Sequence, residues 1–209
     1  MNTPRQRRSK DRRDTGTRER LVTATQDCLR ARGLAETSSR AITEEAGANL
    51  AAITYHFGSK ERLVAVALAS ELQQWTQPVL ELLDTPGDPA ARLLGAVSAL
   101  NTTFDEQRER LPALLEVFVH AARDPDLDNP VATTWRALRD RVAAVIDELR
   151  ASALVPEWVA PDPMAALILA VAAGTVVTVT VEPDGIDHRA IATQFAALLL
   201  AAARPGAAH

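Results

Sequence analysis

Residues 51–63 read AAITYHFGSKERL, and this stretch decides the fold. Ile53 and Phe57 stand four residues apart, so on a helix they share one face and can anchor it. Between them lie Thr54, Tyr55 and His56, a polar and aromatic group that a buried helix would exclude. Gly58 then breaks the helix, Ser59 offers an N-cap, and Lys60 opens a new charged, apolar-periodic run.

Upstream, the pattern predicts two more helices. Leu21, Ala24, Thr25, Cys28 and Leu29 recur at helical spacing from Thr15 to Arg32, and Gly33 stops that run. Thr37-Ser38-Ser39 offers caps for a short helix ending at Ala46, and Gly47-Ala48-Asn49 reads as a tight turn. Two short helices around a Gly-containing turn make a helix-turn-helix, residues 38–57. The second helix then presents Ala51, Ala52, Thr54, Tyr55 and His56. Small residues let backbone approach base edges, methyls of Ala52 or Thr54 match a thymine methyl, and hydroxyl or imidazole groups reach bases or phosphates. Lys60 stands at a helix start, where free N–H groups already favour a phosphate.

Residues 17–63 resemble the N-terminal domain of the tetracycline-repressor (TetR) family of bacterial transcription regulators. The residues that carry the resemblance are Gly33-Leu34, Thr37 through Ile42, Ala46-Gly47 and, above all, Ile53 through Leu63. It implies that Tyr55, His56 and Lys60 contact phosphates, and that Ser39 and Arg40 reach the backbone or a base from the preceding helix. Arg40 has a second reading, an ion pair with Glu44 one turn on. Thr54 and Thr43 depart from the usual family residues, and Thr54 removes any base preference borrowed from relatives.

The charge balance agrees with a polyanion partner at one end only. Residues 1–62 carry 13 Lys/Arg against 8 Asp/Glu, whereas residues 63–209 carry 10 against 19. Residues 1–14, with Arg5 to Arg13, read as a basic mobile arm that either touches DNA or simply stays in solvent. The expected division is a DNA-binding domain over 1–58 and a helical ligand-binding and dimerisation domain over 59–209, entered through a connecting helix, 59–83. The fold class is all-α.

Beyond residue 84 the periodicity predicts helices at Ala90–Arg108, Pro112–Ala122, Val131–Ala151, from an Asp162 cap with Pro163 first through Val181, and Asp187–Ala203. Thr175 to Val181 alternates like a strand. A lone strand would have no partner in a helical chain, so helix is retained. Met164 to Val181 carries no charge and approaches the length of a membrane span. It lacks a flanking basic cluster and contains three threonines and Gly174, so a helix buried on all sides of a protein without membrane contact is the better reading.

Enzyme signatures are missing: no GxSxG, HExxH or phosphate-cradling glycine loop. His56, His120, His188 and His209 have no metal spacing; His120 with Glu116 reads as half a metal site or a hydrogen-bonded pair. No catalytic residue, metal or cofactor is expected. Cys28 is the one cysteine and falls on an apolar helix face. No apolar leader core opens the sequence, so the expected location is the cytoplasm.

The expected function is transcription regulation, with repression relieved by a small, mostly apolar molecule; that last clause is what the resemblance implies. The alternative is a back domain answering to a protein partner or to no ligand. One short helix reads too few base pairs, so a homodimer on a palindromic operator in double-stranded DNA is expected. Ala170, Ala173 and Gly174 with Phe195, Leu198 and Leu199 form the expected dimer face. The expected effector lining is Leu100, Phe104, Leu114, Phe118, Trp135 and Leu138, with Thr103, His120, Arg139, Thr175 and Thr178 as polar groups.

Overall fold

A side-chain oxygen opens each short helix of the first half. Ser38 accepts from the Ala41 N–H at 3.1 Å, Asn49 from Ala52 at 2.9 Å, and Ser59 from Arg62 at 3.1 Å. Each bond satisfies a backbone donor that a helix start leaves unpaired. The computed structural model describes residues 4–123, 129–185 and 187–203, with side chains at 15–119, 121–123, 129–185 and 187–195. Among these residues there are nine α-helices, one turn of 3-10 helix and no strand. They are α1 (Pro4–Glu36), α2 (Ser39–Ala46), α3 (Leu50–Phe57), α4 (Lys60–Leu83), α5 (Pro89–Glu106), α6 (Leu111–Arg123), α7 (Pro130–Ala151), α8 (Pro161–Val181) and α9 (His188–Ala203). The all-α expectation holds. The first helix starts earlier than the Thr15 expected, because the backbone of α1 is already helical from Pro4.

The chain divides into two compact units, Met1–Leu72 with Glu116–Val131, and Gln73–Leu115 with Ala132–His209. The first unit therefore runs past residue 58 into α4. The first turns of α4 belong to the head, where Leu63, Val64, Ala67 and Leu68 are buried. The head core joins Leu21, Ala24 and Cys28 of α1, Ile42 and Ala46 of α2, Ile53 of α3 and Leu63 of α4. Leu21, Ile42 and Leu63 are fully enclosed, and burying each contributes about 1.5–3 kcal/mol. Cys28 lies in this core, and desolvation is the main reason its thiol pKa is raised, with Glu45 and Asp27 adding to the rise and Arg32 opposing it.

Gly33 interrupts α1 with φ 74° and ψ 173°, a backbone region essentially restricted to glycine. The break frees the Leu34 N–H, which donates to the Glu116 carboxylate at 3.1 Å, and the Thr37 hydroxyl donates to the Gly33 carbonyl at 2.7 Å. Glu116 thus holds the end of α1. A Cβ on residue 33 would lie 3.2 Å from Glu116 Oε1. Gly33→Ala is expected to cost about 1–3 kcal/mol in chemical unfolding. Gly47→Asn is the control: Gly47 has the left-handed φ of 57° with nothing near its Cβ position, and asparagine tolerates that conformation. Equal losses for the two variants would show that the Gly33 break carries no strain.

In the second unit α7 supplies the central apolar face. Leu138, Val142, Val145, Ile146 and Leu149 pack with Leu83, Ala96, Val159, Ala165 and Leu169, and Trp135 closes against them half-buried. Arg92 of α5 ties this core at its edge, donating to the Leu83 carbonyl at 3.2 Å and pairing with Glu148 of α7. α4 runs on through Pro78 without ending.

α8 corrects two expectations. It starts on Ala160 with Pro161 in the first turn, so Asp162 lies inside the helix and does not cap it. A proline needs no hydrogen-bonded N–H there, and the Asp162 carboxylate faces the positive end of the dipole. Nor is the helix buried on all sides within the chain. Ala165, Leu169, Val176 and Val179 are buried, whereas Leu167, Val177 and Val181 are exposed. Its strand-like end is helical, and there the Thr175, Thr178 and Thr180 hydroxyls find partners by donating to carbonyls one turn back at 2.8, 2.9 and 2.7 Å.

Candidate nucleic-acid interface

The turn between α2 and α3 is set by Gly47. Its N–H and that of Ala48 return to the Glu44 and Thr43 carbonyls at 3.3 and 2.9 Å, closing α2 before Asn49 opens α3. Arg20 of α1 donates to the Ala46 carbonyl at 3.2 Å and so fixes the same corner from the other side. Ile53 is buried at the head core and Phe57 packs against it, as their spacing implies. The Arg18 guanidinium lies 5.1 Å from the Phe57 ring centre, a cation–π contact that holds the end of α3 on α1.

With that side anchored, α3 turns Leu50, Ala51, Thr54 and Tyr55 to solvent. Tyr55 is 69% exposed. His56 is half-buried, its ring meeting Tyr55 edge-on at 4.9 Å and Phe57 at 6.3 Å. The histidine is thereby steadied between an outward and an inward ring. Lys60 is half-buried at the first position of α4. Gly58, at φ 81°, brings that helix start directly after His56.

Two residues differ from the sequence reading. Ala52 is half-buried and packs against the head core, so its methyl supports α3 rather than standing clear of it. Leu50, outside the expected set, is 60% exposed, and Ala51 and Thr54 beside it are exposed too. Spacing alone argues the other way, since Leu50 stands seven residues before Phe57 and three before Ile53; its exposure goes with its place at the first position of α3.

On α2, Ser39 is half-buried and Arg40 is exposed. Arg40 pairs with Glu44 at 3.0 Å, with both side chains largely in solvent. An exposed pair one turn apart contributes only about 0.3–0.5 kcal/mol, little enough for a phosphate to replace Glu44. Thr43 is buried and donates to the Ser39 and Arg40 carbonyls at 3.0 and 3.1 Å, which accounts for its hydroxyl.

The residues expected around an effector are drawn from both units. Leu138 and Trp135 belong to the α7 core. Phe104 is buried on α5 and meets Trp75 and His188 at ring separations of 6.4 and 5.6 Å. Leu114 is buried and Leu100 half-buried. Phe118 and His120 fall in the first unit, and the His120 side chain lies outside the described residues. Glu116 is engaged by Leu34. Among the polar groups, Thr103 donates to Ala99 at 2.9 Å, Thr175 and Thr178 donate to their own helix, and Arg139 pairs with Asp140 at 3.0 Å.

Along α8, Pro163, Leu167, Ala170, Gly174, Val177 and Val181 are all exposed and recur at alternating steps of four and three residues. Ala173 is half-buried beside them, and Phe195 of α9 is half-buried. The Leu198 and Leu199 side chains lie outside the described residues. By length and composition α8 is the one described helix that could cross a membrane, and only 28% of its most apolar stretch is buried within the chain.

The sequence profile of bacterial regulatory proteins of the tetR family matches residues 21–67, and that of the BetI-type transcriptional repressor C-terminal domain matches residues 89–203. No curated protein matches the chain in sequence. Among solved structures, a TetR transcription regulator from Haloarcula marismortui superposes with a TM-score of 0.75 at 21% identity, covering 90% of this chain and 98% of that one. FadR from Bacillus subtilis, in complex with stearoyl-CoA, gives 0.70 at 14% identity over 88% and 98% of the two chains. The SmeT–triclosan complex gives 0.66 at 22% identity over 91% and 93%; SmeT is the repressor of the Stenotrophomonas maltophilia multidrug efflux pump SmeDEF. These likenesses concern the fold, and the two profiles, one of them spanning more than half of the sequence, place the chain in the TetR family of bacterial transcriptional regulators, with a C-terminal domain of BetI type.

Proposed function

We propose that the protein is a cytoplasmic repressor that binds a palindromic operator as a homodimer and leaves it when a small, mostly apolar molecule occupies the second unit. The observation that carries this reading is α3: Leu50, Ala51, Thr54 and Tyr55 face solvent above the buried Ile53, next to Lys60 at a helix N-terminus. A short helix so presented fits the major groove, and its first residues meet base edges. Lys60, His56, Tyr55 and Ser39 would hold phosphates, and Arg40 would exchange Glu44 for one. The heptad-like stripe on α8 is where a second copy would pack, with Phe195, Leu198 and Leu199 as the expected contribution of α9. Triclosan in one structural relative and the stearoyl chain of stearoyl-CoA in another support an effector with a large apolar part.

The test is fluorescence anisotropy with duplexes from the DNA flanking the chain's own coding region. Two chains should bind one site with a dissociation constant of about 10⁻⁸–10⁻¹¹ M, and affinity should fall steeply with salt. An effector should weaken that binding by about 5–150-fold. Uniform, purely salt-sensitive binding to every duplex, or one chain per site, would refute the reading.

A further inference from the structure

The effector reading leaves open which groups meet the ligand, and two buried nitrogens bear on this. Trp75 of α4 is 95% buried, as its 5% residual exposure gives, and its indole Nε1 has no hydrogen-bond partner. His188 opens α9; its side chain is only 12% exposed, and its buried Nε2 makes no hydrogen bond, its nearest carboxylate being that of Asp105 at 3.5 Å. Both rings meet the same residue. Phe104, itself buried, tilts against Trp75 at 60° and meets His188 nearly edge-on at 66°. All three belong to the second unit.

Leaving a buried polar group unpaired is unfavourable, and native proteins pair nearly all of them. Two such atoms against one aromatic ring therefore mark a place built to receive a hydrogen-bonding group. We propose that Trp75, Phe104 and His188 form the polar end of the effector site, and that it takes a neutral ring-bearing molecule with a single hydroxyl, of the phenol class. This deepens the effector-release reading and rests on it.

The chemistry of the three rings narrows the ligand. An indole N–H only donates, so the ligand must offer an oxygen that accepts. A neutral imidazole nitrogen accepts or donates, which suits a hydroxyl better than a bare carbonyl. Anionic headgroups are disfavoured by the surroundings of His188. Asp105 stands 3.5 Å from its Nε2 and Asp187 3.4 Å from its Nδ1, and the guanidinium of the adjoining Arg189 already pairs with Asp105. The ring of the ligand would lie against Phe104, where aromatic pairs prefer tilted and edge contacts.

The probe is 4-ethylphenol, with ethylbenzene and 4-ethylbenzoate as comparisons, titrated into the full-length chain without DNA. Binding is read by calorimetry and by the indole N–H resonances in ¹⁵N-correlated spectra, Trp75 being assigned by its loss in Trp75→Phe. The phenol should shift the Trp75 resonance saturably and bind about five-fold or more tighter than ethylbenzene, with the benzoate weaker than the phenol. Trp75→Phe and His188→Phe should each erase that preference for the hydroxyl while keeping the far-UV spectrum of the parent. Equal affinity for phenol and ethylbenzene, tighter benzoate binding, or an unmoved Trp75 resonance would overturn the proposal. If 4-ethylphenol binds as described but leaves the protein on DNA, the site stands and the release mechanism fails. If release is achieved by a molecule whose effect survives both substitutions, release stands and this site fails.

Discussion

Replacing His56 and Lys60 together by alanine is expected to lower operator affinity by on the order of 100-fold or more, with little change in thermal stability. The two residues stand at the end of α3 and the start of α4, outside the enclosed head core. Removing them should leave Ile53, Ile42 and Leu63 packed as before. Two heads lose four charged or charge-assisted phosphate contacts, each worth more than a neutral hydrogen bond. The same loss has a signature that a folding defect lacks: the slope of log affinity against log salt should fall by about one unit per contact, about four in all. Anisotropy titrations between low and moderate salt read both quantities. Leu50→Ala and Thr54→Ala should instead change which bases are preferred, leaving the salt slope as it is. A double variant with parental slope and affinity would remove His56 and Lys60 from the interface.

On the proposed packing of two copies through α8, Gly174→Arg is expected to leave the chain monomeric and to weaken operator binding by at least two orders of magnitude. Nothing lies within 4 Å of a Cβ placed on Gly174, so the side chain fits the isolated chain and its fold should survive. In a dimer packed through α8, the same position would bury an unpaired guanidinium between apolar helices, which costs several kcal/mol. A lone head then reads too few base pairs for tight binding. Light scattering at micromolar concentration gives the mass, and anisotropy gives the affinity. A dimer that persists in Gly174→Arg, and also in Phe195→Asp, would place the contact elsewhere.

The head was legible in the sequence because its determinants are local. Ser38, Asn49 and Ser59 act within three residues of themselves, and Ile53 with Phe57 declares its inner face by spacing alone. What failed was non-local. Glu116 reaches back to Leu34 across 82 positions, and no periodicity shows that the end of α6 joins the first unit. Trp75, Phe104 and His188 meet only after folding, and each alone resembles an ordinary core or capping residue. Spacing also does not say whether a polar side chain is already engaged. A threonine inside a helix can satisfy its hydroxyl on its own backbone, as Thr103, Thr175 and Thr178 do. The α8 cap was misplaced because Asp162 and Pro161 both suit a first turn, and the proline decided it.

Cys28 gives the head an internal clock. It is the single thiol of the chain, it lies among Leu21, Ile42 and Ile53, and burial keeps it protonated beyond its usual range. A thiol, unlike a thiolate, is a poor nucleophile, and an alkylating reagent gains access only while α1 parts from α2 and α3. The rate of labelling therefore counts openings of the DNA-reading half of the molecule. No foreign dye or engineered residue is needed, and the second unit, having no cysteine, contributes no background. Any partner that grips only the closed head slows that clock in proportion to its occupancy, so one reagent can time both the breathing of the head and its capture by DNA.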